Sequence, residues 1–250
     1  MEKHLINNKK VTFFAKSKGS NANKFNRAVK LAAMHNDLDK KMRSMCERGN
    51  YTSSTAKNAL AVLLLLHTGI RVGNEGSAEG YMTIPHPHSK KLPEFVQTYG
   101  LTTLKVEHVS FTKLGVASLS FSGKKQVENN FTLADKFLAN AMKKVCANKK
   151  KSDVIFESSV YELTKFIKTY VGKQFSAKDF RTLRANVLAW DAVSALIRDY
   201  EPSTTKKGFK DEVHFITDRV STALNNTKAV CLKSYIDSEL MHYHELHRGV

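Results

Sequence analysis

Ala59 to Leu66 reads Ala-Leu-Ala-Val-Leu-Leu-Leu-Leu, an unbroken apolar run that constrains the fold more than any other stretch. It is far shorter than the about 20 residues needed to cross a bilayer. Thr55 is a candidate cap in front of it and Thr68-Gly69 a stop behind it, so the pattern predicts a helix that is apolar on every face. Such a helix is stable only at the centre of other helices. The chain has the means to surround it: 42% of its 250 residues are apolar, with 14 Phe and 8 Tyr. That composition excludes global disorder, and the length suits one large domain or two small ones.

The flanking sequence supplies more helices and one sheet. Residues 1–20 are polar apart from Val11-Thr-Phe-Phe14 and read as a loose N-terminal arm; the main domain runs from 21 to 250. From Asn23, Phe25, Val29, Ala33, Leu38, Met42 and Met45 recur at helical spacing until Gly49. Around 101–132 the pattern changes to three short strands: Leu104–Val109, Val116–Phe121 and Val127–Phe131. Thr112-Lys-Leu-Gly115 and Gly123-Lys-Lys form the turns between them. Ser159-Val-Tyr-Glu162 is a capping box for a helix closed near Gly172. Ser176 caps another, through Arg181, Leu183, Val187 and Leu196, and a last helical face (Val213, Ile216, Val220, Leu224) ends at Asn225-Asn226. The expected fold is mainly α with a small three-stranded antiparallel β-sheet.

Charge narrows the partner. Lys and Arg number 40 against 23 Asp and Glu, a formal net charge of +17. Residues 1–50 hold 12 basic and 4 acidic groups, residues 101–150 hold 9 and 3, and the last fifty balance at 7 and 7. Two positive blocks on an ordinary domain are the footprint of a phosphate-backbone binder, with an anionic membrane surface as the competing partner. The polar start (Met-Glu-Lys-His) shows no secretory signal, and three widely spaced cysteines point to a reducing, intracellular setting.

Common signatures are absent. Gly123-Lys124 is no P-loop, because Ser118 stands five residues before Gly123 and Lys125 follows Lys124. His242, His244 and His247 match no zinc spacing and read as a solvated tail. What stands out is a set of basic residues in awkward places. Arg71 directly follows the most apolar helix and needs an anionic partner there; Glu75 is the ordinary candidate and a phosphate the sharper one. Lys124 sits at a hairpin tip, where charge is commonplace. Arg181 and Arg184 lie one turn apart beside Phe180, Leu183 and Trp190, so at least one guanidinium should approach the core.

Taken in order, these residues fall within five motifs: Thr68-Gly-Ile-Arg-Val-Gly-Asn-Glu75, Tyr99-Gly-Leu-Thr-Thr-Leu-Lys-Val-Glu-His108, Phe121-Ser-Gly-Lys124, Ala177-Lys-Asp-Phe-Arg-Thr182 and Asn226-Thr-Lys-Ala-Val-Cys-Leu-Lys-Ser-Tyr235. The series resembles the type IB DNA topoisomerases, most nearly the compact bacterial and poxvirus forms, over residues 24–238. The resemblance implies a topoisomerase/tyrosine recombinase-like catalytic domain that relaxes supercoils through a 3′-phosphotyrosyl intermediate, without ATP or metal. It implies Tyr235 as nucleophile, Arg71 and Arg181 as phosphate clamps, and Lys124 as general acid on the hairpin. Asn226 falls where poxvirus enzymes have histidine and several bacterial ones asparagine. Lys105, Lys125, Lys178, Arg184 and Lys233 are the expected DNA contacts. The implied partner is double-stranded DNA, bound by a monomer with no cofactor and no membrane.

Elementary chemistry supports those roles. Attack by a tyrosine oxygen builds negative charge on the non-bridging phosphate oxygens, which planar guanidiniums meet with paired donors. Asn226 offers a neutral amide donor. The leaving 5′-oxygen needs a proton, which a lysine on a hairpin can deliver; positioned acids contribute about 10²–10⁴-fold. Tyr243 is a second tyrosine eight residues on, but Tyr235, nine residues after Asn226 in Lys233-Ser-Tyr235, takes the motif position. Two departures matter. Only about twenty residues precede the pattern, too few for the family's usual N-terminal clamp domain, so weak hold on DNA is expected. The strongest rival reading is a tyrosine recombinase, which generally carries histidine where this chain has Lys178; Lys178-Asp-Phe-Arg181 favours the topoisomerase. A second rival is a non-catalytic DNA-binding protein, which would form no covalent DNA adduct.

Overall fold

The computed structural model describes residues 1–6, 8–14, 22–84 and 92–248. In chain order the elements are strands β1 (Glu2–Ile6) and β2 (Lys9–Phe13), then helices α1 (Ala22–Ala33), α2 (His35–Arg48), α3 (Ser54–Thr68) and α4 (Glu75–Glu79). Strands β3 (Tyr81–Met82), β4 (Phe95–Val96), β5 (Val109–Phe111), β6 (Ala117–Gly123) and β7 (Val127–Leu133) follow. Helices α5 (Lys136–Cys146), α6 (Val160–Tyr170), α7 (Ala177–Asp199), α8 (Lys206–Ala223), α9 (Lys228–Ser234) and α10 (Ser238–Arg248) complete the chain. The apolar run behaves as its sequence requires: every side chain from Ala59 to Leu66 on α3 is at most 3% exposed.

The chain divides into two compact units. The first comprises Met1–Lys41, Leu65–Gly69 and Val171–Val250. Its spine is α7, which α1, α8 and α10 flank, with α9 against α8. Ala185, Ala189, Ala192 and Val193 of α7 pack with Ile216, Val220, Leu224, Cys231, Ile236 and Leu240. The small residues let the neighbouring helices approach closely. Ser176 and Asp179 form the reciprocal capping box that starts α7, and Arg27 of α1 donates to Asp179 at 2.9 Å.

The expected loose arm holds two strands, Glu2–Ile6 and Lys9–Phe13. β1 and β2 pair antiparallel from Glu2↔Phe13 to Ile6↔Lys9 and pack on α1 and α7. Val11, Thr12 and Phe13 are buried consecutively, so the strand shows no alternation and its periodicity gave no signal. The expected solvated C-terminal tail is α10, with His244 fully buried. His244 Nε2 and Glu212 Oε2 are 2.8 Å apart. Arg248 donates to the same carboxylate and to the carbonyls of Leu196, Tyr200 and Glu201, which closes the end of α7.

The second unit comprises Met42–Leu64 and Ile70–Tyr170. Its centre is the antiparallel sheet β5-β6-β7, with α5 against β6 and β7. Ala117, Leu119 and Phe121 alternate inward with Phe131 and Leu133, while Ser118, Ser120 and Ser122 turn away from the core. The strand expected over Leu104–Val109 begins only at Val109. Leu101–His108 instead forms two tight helical turns, because its backbone groups are spent elsewhere: Leu101 and Thr102 donate to the Arg71 and Val72 carbonyls, and the Leu104 carbonyl accepts from Ile155. The single helical run expected from Asn23 to Gly49 is two helices, α1 and α2, separated at Met34.

Candidate active site

In the second unit, Arg71 and Lys124 line one cleft of about 520 Å³, together with Asn74, Ser77, Tyr81 and Tyr99. The Arg71 loop is held by its backbone. Leu101 N–H donates to the Arg71 carbonyl at 2.8 Å, and Thr102 donates to Val72 through both N–H (2.7 Å) and hydroxyl (2.9 Å). Gly73 adopts φ +101°, a left-handed conformation that glycine takes without steric cost. A Cβ on Gly100 would come within 2.5 Å of the Gly73 backbone. The motifs around Gly69–Glu75 and Tyr99–His108 therefore occur together because each is the other's backbone partner. With its main chain fixed in this way, Arg71 forms no ion pair among the described residues, neither with Glu75 nor with another acid. Glu75 begins α4, where the Asn74 side chain accepts from Ser77 N–H.

Lys124 is exposed at the β6–β7 turn, beside Lys125. Gly123 pairs with Val127 to close the hairpin, and Asn129 Nδ2 donates to the Val127 carbonyl at 2.7 Å. Asn129 occupies the place a Gly123 side chain would need, with its Nδ2 2.1 Å from an added Cβ. Lys105 does not reach out in the same way: its ammonium sits 5.3 Å from the Tyr99 ring and 3.7 Å from Glu107.

In the first unit, Arg181 lies one turn into α7 and is 3% exposed. Its Nη1 donates to the Gly69 carbonyl at 2.7 Å and its Nη2 to the Leu224 carbonyl. Its guanidinium carbon is 5.2 Å from the centre of the Tyr235 ring, a cation–π distance. Tyr235 is itself buried at the C-terminal end of α9, and its hydroxyl makes no hydrogen bond among the described residues. Asn226 accepts from Thr227 N–H at 3.0 Å through Oδ1; its Nδ2 is buried and has no hydrogen-bond partner among the described residues. An unspent amide donor is what a neutral phosphate ligand requires.

The remaining expected contacts divide by exposure. Lys178 and Lys233 are exposed, three residues before Arg181 and two before Tyr235. Arg184 is only partly exposed; its stem lies against Gly69, where an added Cβ would meet Arg184 Cβ at 3.2 Å, and burial lowers its pKa. Tyr243 belongs to an aromatic cluster with Phe14, Trp190 and His247, which occupies its ring in packing.

Sequence reasoning missed Asn186. Its Nδ2 donates to the Thr182 and Tyr235 carbonyls at 2.8 and 2.9 Å, and its Oδ1 accepts from Asp237 N–H at 2.8 Å. One buried amide thus holds the backbone on both sides of Ile236. A polar residue at an otherwise apolar position of α7, between Ala185 and Val187, was the available signal.

Residues 14–248 match the family described as the eukaryotic DNA topoisomerase I catalytic core. The chain belongs to that family, the type IB topoisomerases. It is 26% identical over 152 residues to the DNA topoisomerase 1B of Acanthamoeba polyphaga mimivirus, an alignment covering 56% of this chain. The match takes in 45% of that relative, so the chain spans less than half of its length. No helix among the described residues is long and apolar enough to cross a membrane.

Proposed function

We propose that this chain relaxes supercoiled double-stranded DNA by transient cleavage of one strand, acting as a monomer. The observation that carries the reading is the buried Arg181 guanidinium seated 5.2 Å from the Tyr235 ring, in a chain of this family. Tyr235 Oη gives up its proton to solvent water and attacks the phosphorus, a phosphotyrosyl ester forms at the 3′ end, and the bond from phosphorus to the 5′-oxygen breaks. Charge building on the non-bridging oxygens is met by Arg71, Arg181 and the unspent Asn226 amide. Lys124 gives its proton to the departing 5′-oxygen, and Lys178 and Lys233 hold the flanking backbone. After the free strand has rotated, the 5′-hydroxyl attacks the phosphorus and returns a proton to Lys124; the bond to Tyr235 Oη breaks, the phenolate takes a proton from water, and the phosphodiester is restored. The ester conserves the bond energy, so the cycle closes without nucleotide, and the charge is handled by guanidiniums rather than a metal.

The test is relaxation of supercoiled plasmid in EDTA without ATP. Relaxed topoisomers under those conditions support the mechanism, and an absolute requirement for Mg²⁺ or nucleotide refutes it. Mild stimulation by Mg²⁺ is compatible with it, because cations also screen DNA and help its release.

A further inference from the structure

The backbone at Tyr235 is turned tightly as α9 ends. The N–H groups of Tyr235 and Ile236 both donate to the Cys231 carbonyl at 2.9 Å. The last carbonyls of a helix lack partners within it, and the one at Ser234 is joined by a peptide bond to Tyr235. Its partner comes from 210 residues away: Lys24 Nζ, near the start of α1, donates to the Ser234 carbonyl. A cation at a helix C-terminus is electrostatically favoured. Here it is held against resistance, because burial first and then the nearby Lys178 charge lower the Lys24 pKa, with Asp237 and Asp179 opposing. Asn186 fastens the other side of Tyr235, so the nucleophile's main chain is gripped from α7 and from α1.

We propose that Lys24 is a positioning residue for the nucleophile, which orients the Ser234–Tyr235 peptide so that the phenol oxygen lies in line with the scissile phosphate. This rests on Tyr235 being the nucleophile. The phenol oxygen stands at the far end of a long rigid side chain, so a small rotation of that peptide moves the oxygen further than the backbone. A misplacement of about 1 Å costs on the order of 10²-fold in rate. The alternative role for a lysine in a basic DNA enzyme is a phosphate contact, and the two roles leave different traces.

Lys24→Met keeps the apolar stem and removes the donor; Lys24→Arg keeps a donor. Cleavage and religation are measured in single turnovers at saturating enzyme, and DNA affinity across a salt series. Lys24→Met should slow cleavage and religation together by on the order of 10- to 100-fold, because both pass through the same in-line geometry. Lys24→Arg should recover most of that loss, and the salt slope of binding should stay unchanged in both variants. Lys24→Leu, which also lacks a donor, replaces Lys24→Met if the latter does not fold. Unchanged cleavage in the donor-deleted variant overturns the proposal. So does a fall of about 0.9 in the salt slope, which marks one lost phosphate contact on duplex DNA. Covalent adduct formation by Tyr235→Phe, run alongside, would instead overturn the underlying assignment of the nucleophile.

Discussion

Lys124→Ala separates catalysis from stability more cleanly than any other substitution at the site. Lys124 is exposed at the hairpin tip and makes no hydrogen bond or ion pair through its side chain among the described residues. Its loss should change folding stability by no more than about 0.5 kcal/mol, a Tm shift of up to about 2 °C in a chain of this size. As the general acid it should nevertheless contribute about 10²–10⁴-fold to cleavage, equivalent to about 2.7–5.5 kcal/mol of barrier. The assay is single-turnover cleavage of bound duplex, with either oxygen or sulfur bridging phosphorus and the 5′-carbon at the scissile position. A thiolate leaves without a proton, so Lys124→Ala should cleave the sulfur substrate nearly as fast as the unsubstituted protein. Arg71→Ala, at a residue that shares the cleft and is proposed to serve the non-bridging oxygens, should remain impaired on both substrates. Failure of sulfur to restore Lys124→Ala would refute the assignment and make Lys178 the next candidate.

Arg181 should behave in the opposite way, since it is a structural staple as well as the proposed clamp. Arg181→Ala strips donors from the Gly69 and Leu224 carbonyls, at about 1–3 kcal/mol for each group left unpaired, and a thermal melt showing no loss of stability would contradict the buried contacts. Gly100→Ala forces a Cβ to within 2.5 Å of the Gly73 backbone, so it should lower stability by about 1–3 kcal/mol and slow cleavage through Arg71; normal kinetics would show that the loop tolerates displacement. Burial lowers the His244 pKa from 6.5, so the unfolded chain takes up that proton first. Stability should therefore fall as pH drops through about 6.5 towards the folded value, and the fall should shrink in His244→Gln; an equal fall in that variant would assign it to other groups.

Helices with strong local signals were legible in the sequence: the apolar α3, the Ser159–Glu162 box before α6 and the Ser176–Asp179 box before α7. Lys124 was legible too, because Gly123-Lys-Lys between two alternating strands is a hairpin signature. The failures share one cause, partners distant in sequence. β2 lost its alternation because Val11, Thr12 and Phe13 are all covered, on packing with β1 and α7. Leu104–Val109 had the pattern of a strand, yet the backbone groups of Leu104, Val106 and Glu107 are spent on Ile155, Asp153 and Lys151. The C-terminal histidines carried no sign that Glu212, more than thirty residues earlier, would draw His244 and Arg248 inward. In the candidate site, motif order singled out the charged and nucleophilic residues. Asn186 and Lys24 escaped because they act on backbone carbonyls, which no side-chain pattern encodes.

The central claim is that Tyr235 becomes covalently joined to DNA, and mapping the adduct tests it most directly. The protein is trapped on a cleaved duplex by denaturation, digested with trypsin and nuclease, and the nucleotide-bearing peptide is sequenced by fragmentation. Trypsin releases residues 234–248 as one peptide containing both Tyr235 and Tyr243, so fragment ions must separate the two. The phosphonucleotide should be found on Tyr235, linked through a 3′-phosphate. A modification on Tyr243, a 5′ linkage, or no adduct from DNA that is being relaxed would contradict it.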